Sequence, residues 1–256
     1  PLYPYYSEAV RQELIAMFGK DAVYNKGMTV ITNIRTDMQE LMESEYISYL
    51  EMRDRQRRYR GPLTNIPLTE GWEEQFVNFK SKQLPRHSFF AIVTSIKGGT
   101  ATILNQKLEK FTLKADGIKW TKRSMNSLLD KGDVITIRKT KDSLELIQVP
   151  EISGAAVSME PYSGKVFALV GGYDFNISNF NRATQAKRQP GSSFKPFVYL
   201  TALQNGYTPN TIILDAPIEI SQGPGLPMWR PKNYSGDFLG PITLRKSLEK
   251  SRNLST

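Results

Sequence analysis

The chain has 256 residues, 39% of them hydrophobic and 23% charged, a balance that excludes disorder and suits one large or two ordinary domains. It has no cysteine, which excludes disulfides, cysteine-ligated zinc and a thiol nucleophile, and a single histidine argues against metal hydrolysis. A net charge of +9 favours an anionic partner, either a nucleic acid or an anionic membrane or polymer surface.

In chain order, "YSEAVRQELIAMFG" places Val10, Leu14, Met17 and Phe18 on one face of a helix over residues 4–20, with Gly19 as its stop. The alternating "MTVITNI" (28–34) predicts a strand. A long helix follows from Asp37 to Arg58, with Met38, Leu41, Met42, Tyr46, Tyr49 and Leu50 at helical spacing. It ends in "RDRQRRYR" (53–60), read first as a solvated face. "GPLTNIP" (61–67) marks a boundary.

Between about 87 and 149 come short strands separated by turn signals: "FFAIVTSI", Gly98-Gly99, "TATILN", "EKFTLKA", Asp116-Gly117, "KGDVITIRK" and "LELIQV". Such a run predicts a small barrel of the oligonucleotide/oligosaccharide-binding (OB) type. Lys122, Arg123, Lys139 and Lys141 give it a basic edge, and Phe111 and Trp120 are expected in its core. Past Pro150, "ISGAAVSME" and "KVFALVGG", joined by Pro161-Tyr162-Ser163-Gly164, predict a hairpin central to a sheet. An asparagine-rich loop leads to a helix over Phe194–Asn205 with Gly206 as its stop. A loop-rich stretch to about 241 and a short helix in "TLRKSLEKS" complete the chain.

The chemistry concentrates in "RQPGSSFKPF" (188–197). Pro196 belongs in a first helical turn, where the missing N–H costs nothing, so Ser192 and Lys195 fall three apart on one face. A serine hydroxyl is a poor nucleophile until a base takes its proton, and a lysine desolvated enough to lose its charge can be that base. The partial positive charge of a helix N-terminus acts in the same sense. A serine–histidine triad is disfavoured, because His87 lies in the predicted barrel. Near the end, Ser251-Arg252-Asn253 adds a Ser-x-Asn element after a short helix.

Ser-x-x-Lys, a Ser-x-Asn-like element and Lys-Thr-Gly together mark penicillin-binding proteins and class A β-lactamases. The stretches "RATQAKRQPGSSFKPFVYLTAL", "WRPKNYSGDFLGPITLRKSLEKSRNLST" and "ISGAAVSMEPYSGKVFALVGG" resemble the transpeptidase region of bifunctional class A penicillin-binding proteins of type 1a. The resemblance implies an α+β multidomain chain, an antiparallel sheet with helices, carrying an inserted OB-like β-barrel. Its parts are 1–60 (linker helix, first strand and helix of the transpeptidase domain), 61–150 (barrel) and 151–256 (N-terminal part of the transpeptidase domain).

On this likeness Ser192 is the acylated nucleophile and Lys195 its base, Ser251 relays protons, and Asn253 binds the substrate amide and orients Lys195. Trp229, Pro231, Asn233 and Tyr234 resemble a cleft wall, and Trp229, Asn233 and Tyr234 stand as substrate-binding candidates. The implied partners are peptidoglycan stem peptides and glycan strands, β-lactams, and a protein regulator at the barrel. No cofactor or metal is implied, and membrane contact is expected only through a segment outside this chain, on the periplasmic side of the inner membrane. The alternative is a basic OB-like nucleic-acid- or protein-binding module with an inactive catalytic segment. Pro1 is not an initiator methionine, "SRNLST" has no terminating pattern and no Lys-Thr-Gly occurs, so the chain reads as a piece of a longer one with impaired activity.

Overall fold

The computed structural model describes residues 2–140 and 143–256, which divide into two compact units, Pro1–Ala186 and Lys187–Thr256. Lys141, part of the expected basic edge, lies outside the described residues.

In the first unit, α1 (Pro4–Phe18) begins on a proline and stops at Gly19, whose φ of 79° only glycine adopts at no steric cost. Its buried residues are Pro4, Tyr5 and Tyr6, with Val10 packed beside them, while Met17 and Phe18 are exposed. The expected apolar face is thus covered only in the first turns. After α2 (Lys20–Asn25), residues 28–34 form no strand, because alternation makes a strand only where a ladder partner exists. Pairing is limited to the next residue, where the Arg35 N–H donates to Phe167 O at 2.9 Å.

Helix α3 (Thr36–Arg55) buries polar side chains, Gln39, Glu51 and Asp54, beside Leu50, and leaves Leu41 and Tyr49 exposed. Each buried polar group is fully used, as burial requires. Gln39 donates from Nε2 to Leu169 O (3.0 Å) and accepts the Leu169 N–H at Oε1 (2.8 Å), copying a strand's hydrogen-bond pair. Glu51 takes both Arg138 Nη atoms (2.9 and 2.6 Å) and the Tyr173 hydroxyl (2.7 Å). Asp54 accepts from Arg60 (2.9 Å), Gln148 (2.8 Å) and the Glu151 N–H (3.1 Å), so one carboxylate ties together the segments entering and leaving the barrel.

The barrel is built from β1 (Thr64–Asn65), α4 (Trp72–Val77), β2 (Ser88–Lys97), β3 (Thr100–Asn105), β4 (Lys110–Leu113), α5 (Met125–Leu128), β5 (Asp133–Lys139) and β6 (Leu144–Ile147). All its strand pairs are antiparallel, in the order β1-β5-β2-β3-β4 with β6 also on β5. Gly98 and Gly99, at φ 57° and 75°, supply the two left-handed residues of the β2–β3 hairpin. Strand β2 is buried on both sides by its period of two. Ala91 and Val93 meet Ile103, Ile135, Ile137 and Leu146, while Phe90 and Ile92 meet Val134 and Phe76 of α4. Phe111 lies against Phe89, and the Trp120 indole N–H donates to Leu146 O at 2.8 Å.

The hairpin expected at the centre of a sheet forms as β7 (Ala156–Met159) and β8 (Val166–Val170), two-stranded among the described residues. The Gln39 side chain and the Arg35 N–H occupy hydrogen-bonding groups of β8 that a third strand would need.

The second unit opens on a 3₁₀ turn, Gly191–Phe194, that runs into α6 (Lys195–Gln204) with Gly206 beyond it at φ 88°. Strands β9 (Ile212–Asp215) and β10 (Gly240–Thr243) pair antiparallel from Ile212↔Thr243 to Asp215↔Gly240. Strand β9 lies inside the stretch expected to be loop, and β10 straddles its end at about residue 241. Helix α7 (Leu244–Glu249) follows directly, capped by the Thr243 hydroxyl accepting the Lys246 N–H at 3.2 Å. No helix among the described residues is long and apolar enough to cross a membrane.

Candidate active site

Ser192 sits in the 3₁₀ turn, and the Lys195 N–H donates to its carbonyl oxygen. Residues three apart in such a turn eclipse one another, which puts the serine and the lysine on one side of the chain. Ser192 is exposed and Lys195 is buried. The Ser192 hydroxyl is not among the hydrogen-bond partners of the lysine amine, which turns instead toward residues 251–253.

Lys195 Nζ donates to Ser251 O (2.7 Å), Arg252 O (2.8 Å) and Asn253 Oδ1 (2.8 Å), with Ser251 Oγ at 3.2 Å. Tyr199, one turn further along the same face of α6, donates to Ser247 Oγ of α7 at 2.6 Å. Two buried polar contacts therefore dock α6 on α7 and its exit. Burial pushes the Lys195 amine below the ordinary lysine pKa, since the charged form loses water.

The chain leaves α7 by a Schellman turn: Ser251 N–H donates to Leu248 O and Arg252 N–H to Ser247 O, both at 3.0 Å. Such a turn needs a left-handed residue after the cap, and Ser251 fills the place at φ 49° where glycine is usual. A non-glycine residue held there costs about 1–2 kcal/mol. That strained turn presents two successive carbonyls and the Ser251 hydroxyl to one amine.

Arg252 holds the turn in place. Its guanidinium, buried beneath the segment, donates from Nε to Asp215 at 2.7 Å and from Nη1 to Asp237 at 2.8 Å. Asn233 bridges the same groups, donating to Asp215 (2.8 Å) and Asp237 O (2.9 Å) and accepting the Asn253 N–H (2.7 Å). Asn253 Nδ2 donates to Lys232 O at 2.8 Å, so its side-chain amide is set by Lys195 on one side and the 232–233 backbone on the other.

The structure thus brings Ser251 and Asn253 onto the Lys195 amine and leaves Ser192 one turn away. Asn233 is buried with its polar atoms spent on Asp215, Asp237 and Asn253, whereas Trp229 and Tyr234 are exposed. Trp229 pairs through its backbone with Ile220. Sequence reasoning missed Asp215, Arg252 and Asp237. The available signal was a lone carboxylate closing the apolar run "IILD", with an arginine inside the Ser-x-Asn element. Among the described residues no group of three or more acidic or histidine side chains could hold a metal ion.

Residues 154–256 match the family described as the penicillin binding protein transpeptidase domain, and residues 59–152 match the penicillin-binding protein OB-like domain. Penicillin-binding protein 1A of Rickettsia felis is 46% identical over 256 residues, covering 98% of this chain and 32% of that protein. Penicillin-binding protein 1A of Pseudomonas aeruginosa is 35% identical over 266 residues, again covering 98% and 32%. The crystal structure of penicillin-binding protein 1A from Haemophilus influenzae superposes with a TM-score of 0.81 at 35% identity, covering 97% of this chain and 37% of that one. The chain spans about a third of the length of these relatives.

Proposed function

The chain belongs to the penicillin-binding proteins and carries that family's OB-like and transpeptidase domains, and from this premise we propose that it serves peptidoglycan cross-linking by serine acyl transfer. The observation that carries the reading is the buried Lys195 amine, which opens α6 directly after the Ser192 turn and is bonded to Ser251 and Asn253.

The Ser192 hydroxyl oxygen attacks the carbonyl carbon of a stem peptide's terminal D-Ala-D-Ala bond while its proton passes to the neutral Lys195 amine. The C–N bond breaks, the proton reaches the departing nitrogen by way of Ser251, and D-alanine leaves an ester on Ser192. An amine of a neighbouring stem then attacks that ester, its proton returns to the Ser192 oxygen, and the new amide is the cross-link. As an ammonium, Lys195 has three donors for Ser251 O, Arg252 O and Asn253 Oδ1. Deprotonated, it keeps two and gains the lone pair the serine proton requires.

Asn253 serves twice in this scheme, steadying Lys195 through Oδ1 and facing the substrate amide. Asn233 acts through Asn253 and Asp215, so its contribution is to position rather than to touch substrate, while Trp229 and Tyr234 remain available to a ligand. β-Lactams acylate the same serine. The reading puts the whole protein on the periplasmic side of a bacterial inner membrane, with a glycosyltransferase activity beside the transpeptidase and a protein regulator as a further partner. The 256 residues contain no Lys-Thr-Gly, the family's further oxyanion and carboxylate element, and by themselves are expected to acylate about a hundredfold more slowly than the whole protein.

The test is mass spectrometry of the whole protein after exposure to a labelled penicillin. One adduct on Ser192, absent from Ser192→Ala, is expected. An adduct on another serine, or none, refutes the assignment.

A further inference from the structure

A second concave surface lies wholly outside the catalytic segment. The end of α3 and the 3₁₀ turn Ala115–Thr121 enclose a groove of about 840 Å³ lined by Arg55, Arg58, Tyr59, Trp120, Lys122 and Arg123. Arg55 is committed within the protein: it pairs with Glu145 at 2.9 Å and with Glu51 at 3.5 Å, and its guanidinium lies over the Trp120 ring at 5.2 Å. Arg58, Lys122 and Arg123 are exposed, and among the described residues none of them forms a salt bridge. Arg58 and Lys122, one from each rim, are both held in the left-handed region at φ 72° and 56°. Residues other than glycine persist there only where their surroundings dictate it, and here the Arg58 carbonyl accepts from Gln148 while the Lys122 N–H is tied to Lys119 O.

The groove's two aromatic rings are already engaged in part with each other and with Arg55. Tyr59 meets Trp120 edge-on at 6.0 Å, Arg55 covers a face, and the indole N–H is spent on Leu146 O. Single-stranded nucleic acid draws much of its hold from bases stacking on open aromatic faces. What the groove offers instead is a set of unpaired cations around a cleft, which suits carboxylates on a narrow chain better than a flat lipid surface. We propose that this groove on the OB-like domain docks an extended acidic segment of a protein partner, gripped by Arg58, Lys122 and Arg123.

The test measures fluorescence anisotropy of a labelled glutamate-rich peptide of about ten residues against the whole protein at low and at physiological salt. Binding is expected to weaken with salt, and to fall about tenfold or more in Arg58→Glu/Lys122→Glu/Arg123→Glu. The charge-matched control Lys107→Glu/Lys110→Glu/Lys114→Glu, on the exposed β3–β4 region, is expected to change it less than about twofold. Thermal melts establish that each variant folds, and glutamine replacements at the same positions stand in for any that does not. No binding by the unaltered chain, or equal losses in the two triple variants, overturns the proposal. Tighter binding of a single-stranded oligonucleotide or of phosphatidylglycerol vesicles than of the peptide overturns the choice of partner.

Discussion

Replacing Asp215 by alanine removes the residue on which the whole 232–253 segment is assembled. Asp215 has no exposed surface and receives Arg252 Nε at 2.7 Å, Asn233 Nδ2 at 2.8 Å and the Leu239 N–H at 3.0 Å. Arg252 keeps Asp237 through Nη1, and the half-exposed Leu239 amide finds water, so the loss falls on two buried donors left without their acceptor, Arg252 Nε and one hydrogen of Asn233 Nδ2. That loss is about 2 kcal/mol, or about a thirtyfold rise in local opening. Hydrogen exchange followed by mass spectrometry on peptides covering 232–256 reads this directly. Exchange in that segment is expected to accelerate about thirtyfold, while the barrel strands β2 and β5 stay at the unaltered rate.

The same residue fixes a pH dependence. Burial pushes the Asp215 carboxyl up, but hydrogen bonds from Asn233, the Leu239 N–H and Arg252, with the arginine's charge, outweigh it and hold the carboxyl below its ordinary value. A carboxyl depressed by folding contributes stability above its unfolded pKa of about 3.9 and loses it as the pH falls through the lower folded value. Protection of the segment is therefore expected to hold at neutral pH and to decline only in acid. Unchanged exchange in the alanine variant, at neutral pH, would refute the reasoning.

Ser251→Gly relieves a left-handed backbone while deleting a hydroxyl 3.2 Å from Lys195, so stability and turnover are expected to move in opposite directions. Part of the strain relief is offset by glycine's greater unfolded freedom, leaving a gain of about 0.5 kcal/mol in urea unfolding, with slower penicillin acylation of the whole protein. Asp54→Ala strands the donors of Arg60, Gln148 and the Glu151 N–H at the junction of α3 with the barrel. Allowing for the partly exposed Arg60, a loss of about 3 kcal/mol in urea unfolding is expected, with the acylation site intact.

How far the sequence carries depends on whether a feature is written in neighbouring residues. The barrel strands were legible because both β-branched runs and turn glycines are local, and the end of α1 because Gly19 marks it. The Ser-x-x-Lys turn was legible from Pro196 alone. The inside of α3 was not, because its apolar stripe is partly exposed and, beside Leu50, its buried groups are an amide and two carboxylates. These are satisfied by residues such as Leu169, Arg138 and Gln148, about a hundred positions away. Helix α6 repeats the lesson, since Phe197 and Leu200 are exposed while Lys195 and Tyr199 are buried. The strand expected at 28–34 failed because periodicity names a face but supplies no partner edge. At the site, residue types pointed to Lys195, Ser251 and Asn253, but the Asp215–Arg252 pair that holds them in place spans 37 positions, and the carboxylate closing "IILD" and the arginine inside the Ser-x-Asn element give no sign that they meet.

The pH dependence of the acylation rate of the whole protein bears most directly on the claim that a desolvated lysine activates Ser192. The rate of labelled-penicillin adduct formation on Ser192 is expected to rise with pH through a midpoint below the ordinary lysine value of about 10.4, and Lys195→Arg should be slow with that rise abolished. The account is contradicted by an unaltered profile in the Lys195→Arg protein, or by a midpoint at or above that of a lysine in water.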